Sequence, residues 1–405
     1  TLQQTDFNCP HWFTEALAVT SEGQPRPQEW NEVLVRRANR GTLFDLDSIN
    51  FGFIRPHSSD DWALAYCQAQ LYLEYMLRNH GSGVIRRLLG AYAENLSTPE
   101  AIRRVLGVSQ EEFERGYLEY VKKLAAEMAS LDKPEEKDLA ELKKEQEAHP
   151  EDADLAAELA TAYVRRGANQ EARALAEAAL KRKPKHPLAT YVLARLQVNA
   201  GEPEAAIELL AGCLDREHPQ PAALNLLAGL QLKAEKYDEA ASLYALGQKS
   251  DPYNLKWTQA LGRVYLASKN DEKLAEVLAT LARADGDDLT VRKKLAELAL
   301  KKKDYQAVAD WCRQALRIDI KDAEVHRALA EAEVGRHNYA EAIGYFETAV
   351  ALAPKEPQPR MALADACIQA GQPEKARHVL RELLKLAPDY PGAELLLESL
   401  EKDKK

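Results

Sequence analysis

The sequence predicts an all-α protein in which a helical N-terminal domain is followed by an α-solenoid of two-helix repeats. Three observations lead to this class. Apolar residues recur at helical spacing through most of the chain, strand patterns are weak, and residues 153–390 repeat at a constant interval. The interval is about 34 residues, within the range of roughly 20–50 that is typical of solenoids. In a solenoid each unit buries its apolar face against its neighbours.

The composition is that of an ordinary soluble protein, with 405 residues of which 46% are hydrophobic and 29% charged. The net charge of −10 makes a broad nucleic-acid surface unfavourable. No apolar run reaches the roughly 20 residues that span a bilayer, and no signal peptide is visible. The sequence therefore does not identify the cellular compartment. Because the first residue is Thr1, a processed product or a fragment is expected. The five cysteines form no CxxC pair, which disfavours zinc fingers and a disulfide framework.

Two adjacent positions define the repeat, a leucine and then a small residue. At each step of the interval both positions are kept, as Leu159, Leu193, Leu227, Leu261, Leu295, Leu329 and Leu363, followed by Ala160, Ala194, Ala228, Gly262, Ala296, Ala330 and Ala364. The small residue lets the two helices of a unit approach closely, and the leucine fills the space between them. Gly167, Gly201 and Gly371 share a third position, at which a left-handed residue would end the first helix.

These residues resemble the tetratricopeptide repeat, and four aromatic residues occupy its usual aromatic positions: Tyr163, Tyr244, Tyr265 and Phe346. The resemblance implies seven repeats over 153–390, with bounds at 153–186, 187–220, 221–254, 255–288, 289–322, 323–356 and 357–390. Residues 131–152 are predicted to be a partial repeat or connector, and 391–405 a C-terminal capping helix. In repeat four Leu274, Leu278 and Leu281 replace smaller or aromatic residues, and Gly286 replaces the usual proline. Its second helix is therefore expected to pack at a different tilt.

Residues 1–130 lack this period and are predicted to form a separate helical domain. Helices are expected at 10–21, 27–39, 60–79, 82–94, 98–106 and 110–130, with a short extended piece near the sequence FGFIR. Ser97 and Ser109 are predicted N-caps, because each is followed three residues later by an acid.

Two motifs stand out in this part of the chain. The first is the pattern P-x-W-x-x-E-x-L-A, formed by Pro10, Trp12, Glu15, Leu17 and Ala18. The second lies in a later helix and consists of Ala65, Tyr66, Gln68 and Gly81. Over roughly residues 1–125 these features resemble the C-terminal part of the peptidase-MA-like family of gluzincin zinc metallopeptidases. The resemblance implies that Glu15 is the third zinc ligand, after two histidines of an HExxH helix. Ala16 departs from the family, in which glycine is usual.

No HExxH sequence occurs in the 405 residues, so no peptidase activity and no cofactor are expected for this chain alone. Zinc is expected only in a longer parent protein whose HExxH helix lies upstream. The alternative is that Glu15 is a half-buried helix glutamate with an ordinary ion pair or hydrogen bond. Tyr66 fits either a core tyrosine or a side chain that reaches a bound substrate.

The resemblance to tetratricopeptide repeats also implies a groove, because the first helix of each repeat lines the concave face. Ten polar side chains of repeats two to five are predicted there: Tyr191, Arg195, Asn199, Asn225, Lys233, Lys256, Gln259, Arg263, Lys293 and Lys301. Six of them are basic, with Glu297 opposing them, so the predicted partner is a protein or an acidic peptide rather than nucleic acid.

The function predicted from these features is a protein- or peptide-binding scaffold that mediates protein–protein interaction through a basic groove. The alternative function is that of the C-terminal portion of a zinc metallopeptidase. A solvated face without a dedicated ligand, in a purely mechanical spacer, is a third interpretation.

Overall fold

A computed structural model describes residues 5, 8–23, 26–129 and 137–402. Within these ranges every regular element is a helix, and the helices are joined by short turns. The chain divides into two compact units, residues 1–269 and 270–405. This division falls inside repeat four and differs from the predicted domain bounds, which remain predictions.

Seven helices form the N-terminal part: α1 His11–Glu22, α2 Gln28–Asn39, α3 Ile49–Ile54, α4 Ser59–His80, α5 Gly83–Ala93, α6 Thr98–Leu106 and α7 Gln110–Glu127. The longest of them, α4, packs against α1, α2, α3, α5 and α7. Its residues Leu64, Leu71 and Met76 are fully buried. Because α4 is surrounded in this way, it is the centre of one apolar core that extends from Cys9 to Met128.

The sequence FGFIR was expected to be extended, and this expectation is wrong, because Phe51–Ile54 belong to α3. Gly52 explains the difference. A Cβ atom on this residue would lie 2.6 Å from the Cβ atom of Ala65 in α4, so only glycine lets the two helices pack so closely. The helix is therefore fixed by tertiary packing and not by local sequence preference.

The predicted N-caps of α6 and α7 are present. Ser97 and Glu100 form a reciprocal capping box at α6, and the Ser109 hydroxyl accepts a hydrogen bond from the Glu112 N–H at α7. Residues 131–136 of the predicted connector lie outside the described residues, as does residue 130 at the end of the predicted helix 110–130. It is followed by α8 Leu139–Ala148, which packs on the next helix of the chain.

The remaining helices alternate as pairs. The first helices of the pairs are α9 Ala153–Arg165, α11 Pro187–Asn199, α13 Pro221–Lys233, α15 Leu255–Ala267, α17 Leu289–Lys301, α19 Ala323–Gly335 and α21 Gln358–Gln369. The second helices are α10 Asn169–Arg182, α12 Pro203–Cys213, α14 Tyr237–Ser250, α16 Asp271–Ala284, α18 Tyr305–Ile318, α20 Tyr339–Leu352 and α22 Pro373–Leu386. The last helix in the described residues is α23 Ala393–Lys402, within the predicted capping helix 391–405, of which residues 403–405 lie outside the described residues.

The first helices share an N-cap at one position of the repeat. Six side chains, each one repeat after the last, accept a backbone N–H from the first turn of the helix that follows: Asp152, His186, Gln220, Asn254, Asp288 and Asp322. Each cap satisfies a donor that the helix leaves unpaired, so the start of these six helices is specified by sequence. The seventh first helix, α21, is preceded by Pro357 and has no side-chain cap.

The turn between the two helices of each pair uses a left-handed residue at the position that Gly167, Gly201 and Gly371 identify. The same conformation occurs in the other four repeats, at residues that are not glycine: Glu235, Lys269, Lys303 and His337. An L-residue with a side chain is disfavoured there. The tight turn is therefore imposed by the packing of the two helices, at some cost to stability.

Two buried arginines stabilise helix ends within residues 270–405. Arg292 donates to the carbonyl oxygens of Ala282, Asp285 and Asp288, and so satisfies acceptors near the end of α16, where the repeat lacks its proline. Arg377 donates to the carbonyl oxygen of Leu400 at 2.5 Å, which fixes α23 against α22.

Of the helices in the described ranges, none combines the length and the apolar character that crossing a lipid bilayer requires.

Candidate functional site

The predicted groove residues lie on the first helices of their pairs, and we call this set the first-helix face. Within residues 1–269, α11 packs directly on both α9 and α13, so neighbouring first helices adjoin. This direct packing joins α9, α11 and α13, whereas α15 packs on α14. On α11 the members Tyr191, Arg195 and Asn199 are spaced four residues apart, and on α15 Lys256 and Arg263 are seven apart. Residues at these spacings project from one side of a helix.

Most of the face is open to solvent. In residues 1–269 Tyr191 is half-buried, and the other seven members are exposed: Arg195, Asn199, Asn225, Lys233, Lys256, Gln259 and Arg263. Arg263 also acts on the neighbouring helix α14. Burial raises the pKa of Tyr244, and the positive charge of Arg263 opposes that rise.

Four of the exposed members are cations: Arg195, Lys233, Lys256 and Arg263. None of the four forms an ion pair with a carboxylate in the described part of the chain. Their positive charge is therefore available to a ligand.

The two lysines on α17 differ from these four. The Lys293 ammonium lies 2.8 Å from Asp322 and 2.5 Å from Glu324. Lys301 lies 3.1 Å from Asp271 and 3.6 Å from Glu297, the acid that was expected to oppose the strip. These carboxylates neutralise both lysines, so the available positive charge of the predicted set belongs to residues 195–263.

Asn199 also borders a surface depression of about 410 Å³ between α10 and α11. Gln170, Arg173 and Glu177 of α10 line its other side. This depression supplies polar groups of both charge signs next to the first-helix face.

Glu15, the candidate metal ligand, lies in the middle of α1. Pro10 precedes this helix and provides no side-chain cap, and the Asn50 side chain instead accepts the N–H of Trp12 at 3.1 Å. Trp12 and Phe13 are buried in the core, while the Glu15 side chain is 22% exposed. Glu15 is thus held at the edge of the N-terminal core by the burial of its neighbours.

The carboxylate of Glu15 has two polar neighbours. His11 lies one turn earlier, with its Nε2 at 3.9 Å, and Tyr66 of α4 contributes its phenol. Burial is the main cause that raises the pKa of Tyr66, and the charge and hydrogen bonding of Glu15 raise it further. Both effects of Glu15 favour the neutral phenol over the phenolate.

These residues do not complete a zinc site. A protein zinc centre needs at least three ligands in addition to water, and no group of three or more His, Cys, Asp or Glu side chains that could hold a metal ion occurs among the described residues. His11 and Glu15 supply at most two ligands.

Sequence reasoning did not find the aromatic residues around Tyr66. Its ring lies 4.7 Å from Trp62, 4.9 Å from Phe53 and 5.7 Å from Trp30, measured between ring centroids. Trp62 and Tyr66 are one helical turn apart, a spacing that could have signalled their contact. The contacts of Phe53 and Trp30 depend on tertiary packing.

Family models match three segments of the chain. Tetratricopeptide repeat models match residues 333–400 and 139–187. The chain contains tetratricopeptide repeats. A third model, described as anaphase-promoting complex, cyclosome, subunit 3, matches residues 165–245. With these matches and the all-helical structure, the predicted fold class is confirmed: a helical N-terminal domain followed by an α-solenoid of these repeats. All three matches lie after residue 138, so the resemblance of residues 1–125 to peptidase-MA-like proteins remains a prediction.

Solved structures that match part of the chain include MamA, at 17% sequence identity with a TM-score of 0.37, where the match covers 41% of this chain and 91% of that protein. YrrB, described as a TPR protein with an unusual peptide-binding site, is 15% identical with a TM-score of 0.38, over 45% of this chain and 92% of its own. A thermophilic TPR protein of Thermus thermophilus is 18% identical with a TM-score of 0.30, over 45% of this chain and all of its own. No curated protein sequence matches the chain.

Proposed function

We propose that the first-helix face binds an extended acidic segment of a partner protein. Tetratricopeptide repeats form a scaffold suited to protein–protein interaction, because stacked helix pairs present a long continuous surface. The observation that carries the proposal is the set of four exposed cations on α11, α13 and α15 that lack ion pairs among the described residues: Arg195, Lys233, Lys256 and Arg263. Such groups donate charge-assisted hydrogen bonds to Asp and Glu side chains or to a chain terminus.

The test is fluorescence anisotropy with a labelled peptide rich in Asp and Glu, compared with the same peptide carrying Asn and Gln. We expect the acidic peptide to bind, and its affinity to fall as the salt concentration rises from about 50 mM to about 300 mM. Arg263→Gln and Lys233→Gln should each weaken binding about threefold at low salt, the scale of one exposed charge pair.

Lys301→Gln is the matched control, because Lys301 is an exposed lysine of a first helix that Asp271 and Glu297 already neutralise. It should change the affinity by much less than Lys233→Gln. Equal effects of all three variants, or binding that is insensitive to salt, would contradict the proposal.

The alternative function is that of a zinc metallopeptidase whose HExxH helix lies outside these 405 residues. What favours it is the position of Glu15 at the edge of the core, where His11 lies within 4.0 Å of its carboxylate. The residues described here do not form the metal site alone. Metal analysis of a chain extended upstream tests the alternative: zinc should be retained, and Glu15→Ala should abolish retention. An extended chain without an HExxH sequence would end this alternative.

A further inference from the structure

A cluster of aromatic rings lies next to Glu15 in the N-terminal domain. Tyr66 is its centre and contacts the rings of Trp62, Phe53 and Trp30. His11 extends the cluster, because its ring meets that of Phe53 edge to face at 5.2 Å. Aromatic clusters that serve only packing are normally buried, but Trp62 is 47% exposed. The rings therefore form part of the molecular surface.

The carboxylate at this cluster lacks a strong counter-charge. Glu15 has His11 within 4.0 Å, and no arginine or lysine pairs with it in the described ranges. The nearby acids Asp60 and Asp61 differ, because Arg36 and Arg37 pair with them at 2.5 and 2.8 Å. Glu22 adds a further negative charge that acts on Tyr66. Glu15 and Glu22 thus place negative charge near Tyr66.

The same region exposes unusual apolar area. Phe51 and Ile54 of α3 are 60% and 66% exposed, and they precede Trp62 by eleven and eight residues. Helix α3 packs on both α1 and α4, the helices that carry Glu15 and Trp62. Single exposed apolar residues are common, but several large ones in one segment indicate an interaction surface.

We propose that Glu15, Tyr66 and Trp62 bind an arginine or lysine side chain that an apolar segment of a partner protein presents. A cation is attracted to the faces of Trp and Tyr rings, and a half-buried carboxylate beside them supplies its counter-charge. Ile54, which follows Phe53 in α3 and is 66% exposed, supplies an apolar contact for residues that flank the cation. Arginine fits best, because its planar guanidinium both stacks on rings and pairs with a carboxylate. This site is separate from the first-helix face, which has the opposite charge.

The test uses the full chain in the presence of EDTA, so that a metal bound at Glu15 cannot take part. Two probe peptides are titrated by isothermal calorimetry: acetyl-Gly-Leu-Arg-Leu-Gly-amide and the same peptide with citrulline, a neutral isostere of arginine. We expect the arginine peptide to bind about tenfold more tightly than the citrulline peptide. Equal affinities, or no saturable binding of the arginine peptide, would overturn the proposal.

Two substitutions then locate the site. Glu15→Gln preserves shape and should reduce the preference for arginine over citrulline to about twofold or less. Trp62→Ala should weaken binding of both peptides.

Two control variants change exposed residues away from the cluster and should leave both affinities unchanged. They are Glu208→Gln, at an exposed glutamate of α12, and Leu118→Ala, at an exposed leucine of α7. An arginine preference that survives Glu15→Gln would place binding elsewhere and refute the assignment. The comparison of the two peptides on the unmodified chain decides the role of charge even if a variant folds poorly.

Discussion

Asp322 combines two roles in a single side chain. One carboxylate oxygen caps α19 by accepting the Val325 N–H at 3.0 Å, and the other accepts from Lys293 at 2.8 Å. Burial alone would raise the pKa of Asp322, but the hydrogen bonds from Lys293 and Val325 outweigh burial and hold the pKa below its ordinary value of 3.8. A lowered pKa means that the ionised form stabilises the fold, and that this stabilisation is lost as the pH falls through the lowered pKa.

Asp322→Asn keeps the capping oxygen and removes the charge. We expect it to lower the free energy of unfolding of residues 270–405 by about 1–2 kcal/mol at pH 7, the scale of a hydrogen bond between charged groups. The difference from the unmodified chain should begin to shrink as the pH falls below about 4, where the unfolded state takes up a proton, and should vanish below the lowered pKa, where both proteins are neutral at this position in both states. Urea denaturation followed at Trp311 measures it, and Asp310→Asn, at an exposed aspartate, is the control. A difference that stays constant with pH would contradict the linkage.

At the scale of the element, the turns inside the helix pairs make the clearest prediction. Lys303 is left-handed at φ 57°, and no ion pair holds its side chain in the described ranges. Glycine has no steric penalty in this conformation, so Lys303→Gly should stabilise residues 270–405 by about 1 kcal/mol. Lys302→Gly is the matched control, because Lys302 is right-handed at φ −83°. This change should not raise the free energy of unfolding. Equal effects of the two changes in a denaturation experiment would show that the backbone conformation is not the cause.

The constant repeat interval was enough to predict the helix pairs, because leucine and small residues mark the interior of each pair directly. Other elements leave no local signal. In the sequence, Gly52 only interrupts the apolar stretch FGFI, although in the structure it allows α3 to pack closely on α4. Lys303 and His337 are polar residues that give no sign of a special conformation in the sequence, although their backbones are left-handed. The candidate site shows the same limit: Lys293 pairs with Asp322, which lies 29 residues away, and only side-chain placement decides such a pair.

At the scale of the whole molecule, the chain has two compact units, and solenoid stability is a sum of repeat and neighbour terms. Such a chain is not expected to unfold in one step. The tryptophans provide separate reporters, because Trp12, Trp30, Trp62 and Trp257 belong to residues 1–269 and Trp311 alone belongs to 270–405. Incorporation of 5-fluorotryptophan therefore gives resolved fluorine NMR signals for each unit in a urea series.

We expect the native signal of Trp311 to disappear at a different urea concentration from that of Trp12. Phe346→Leu, in the core of residues 330–400, should cost about 1 kcal/mol and lower the midpoint of Trp311 while leaving that of Trp12 unchanged. Phe13→Leu, in the N-terminal core, should lower the midpoint of Trp12 and leave that of Trp311 unchanged. The two phenylalanines are equally buried, at 1% and 0% exposure, so each variant is the control for the other. If both variants moved all five signals together, the chain would unfold as one cooperative body, because coupling between its parts would then exceed the stability of either.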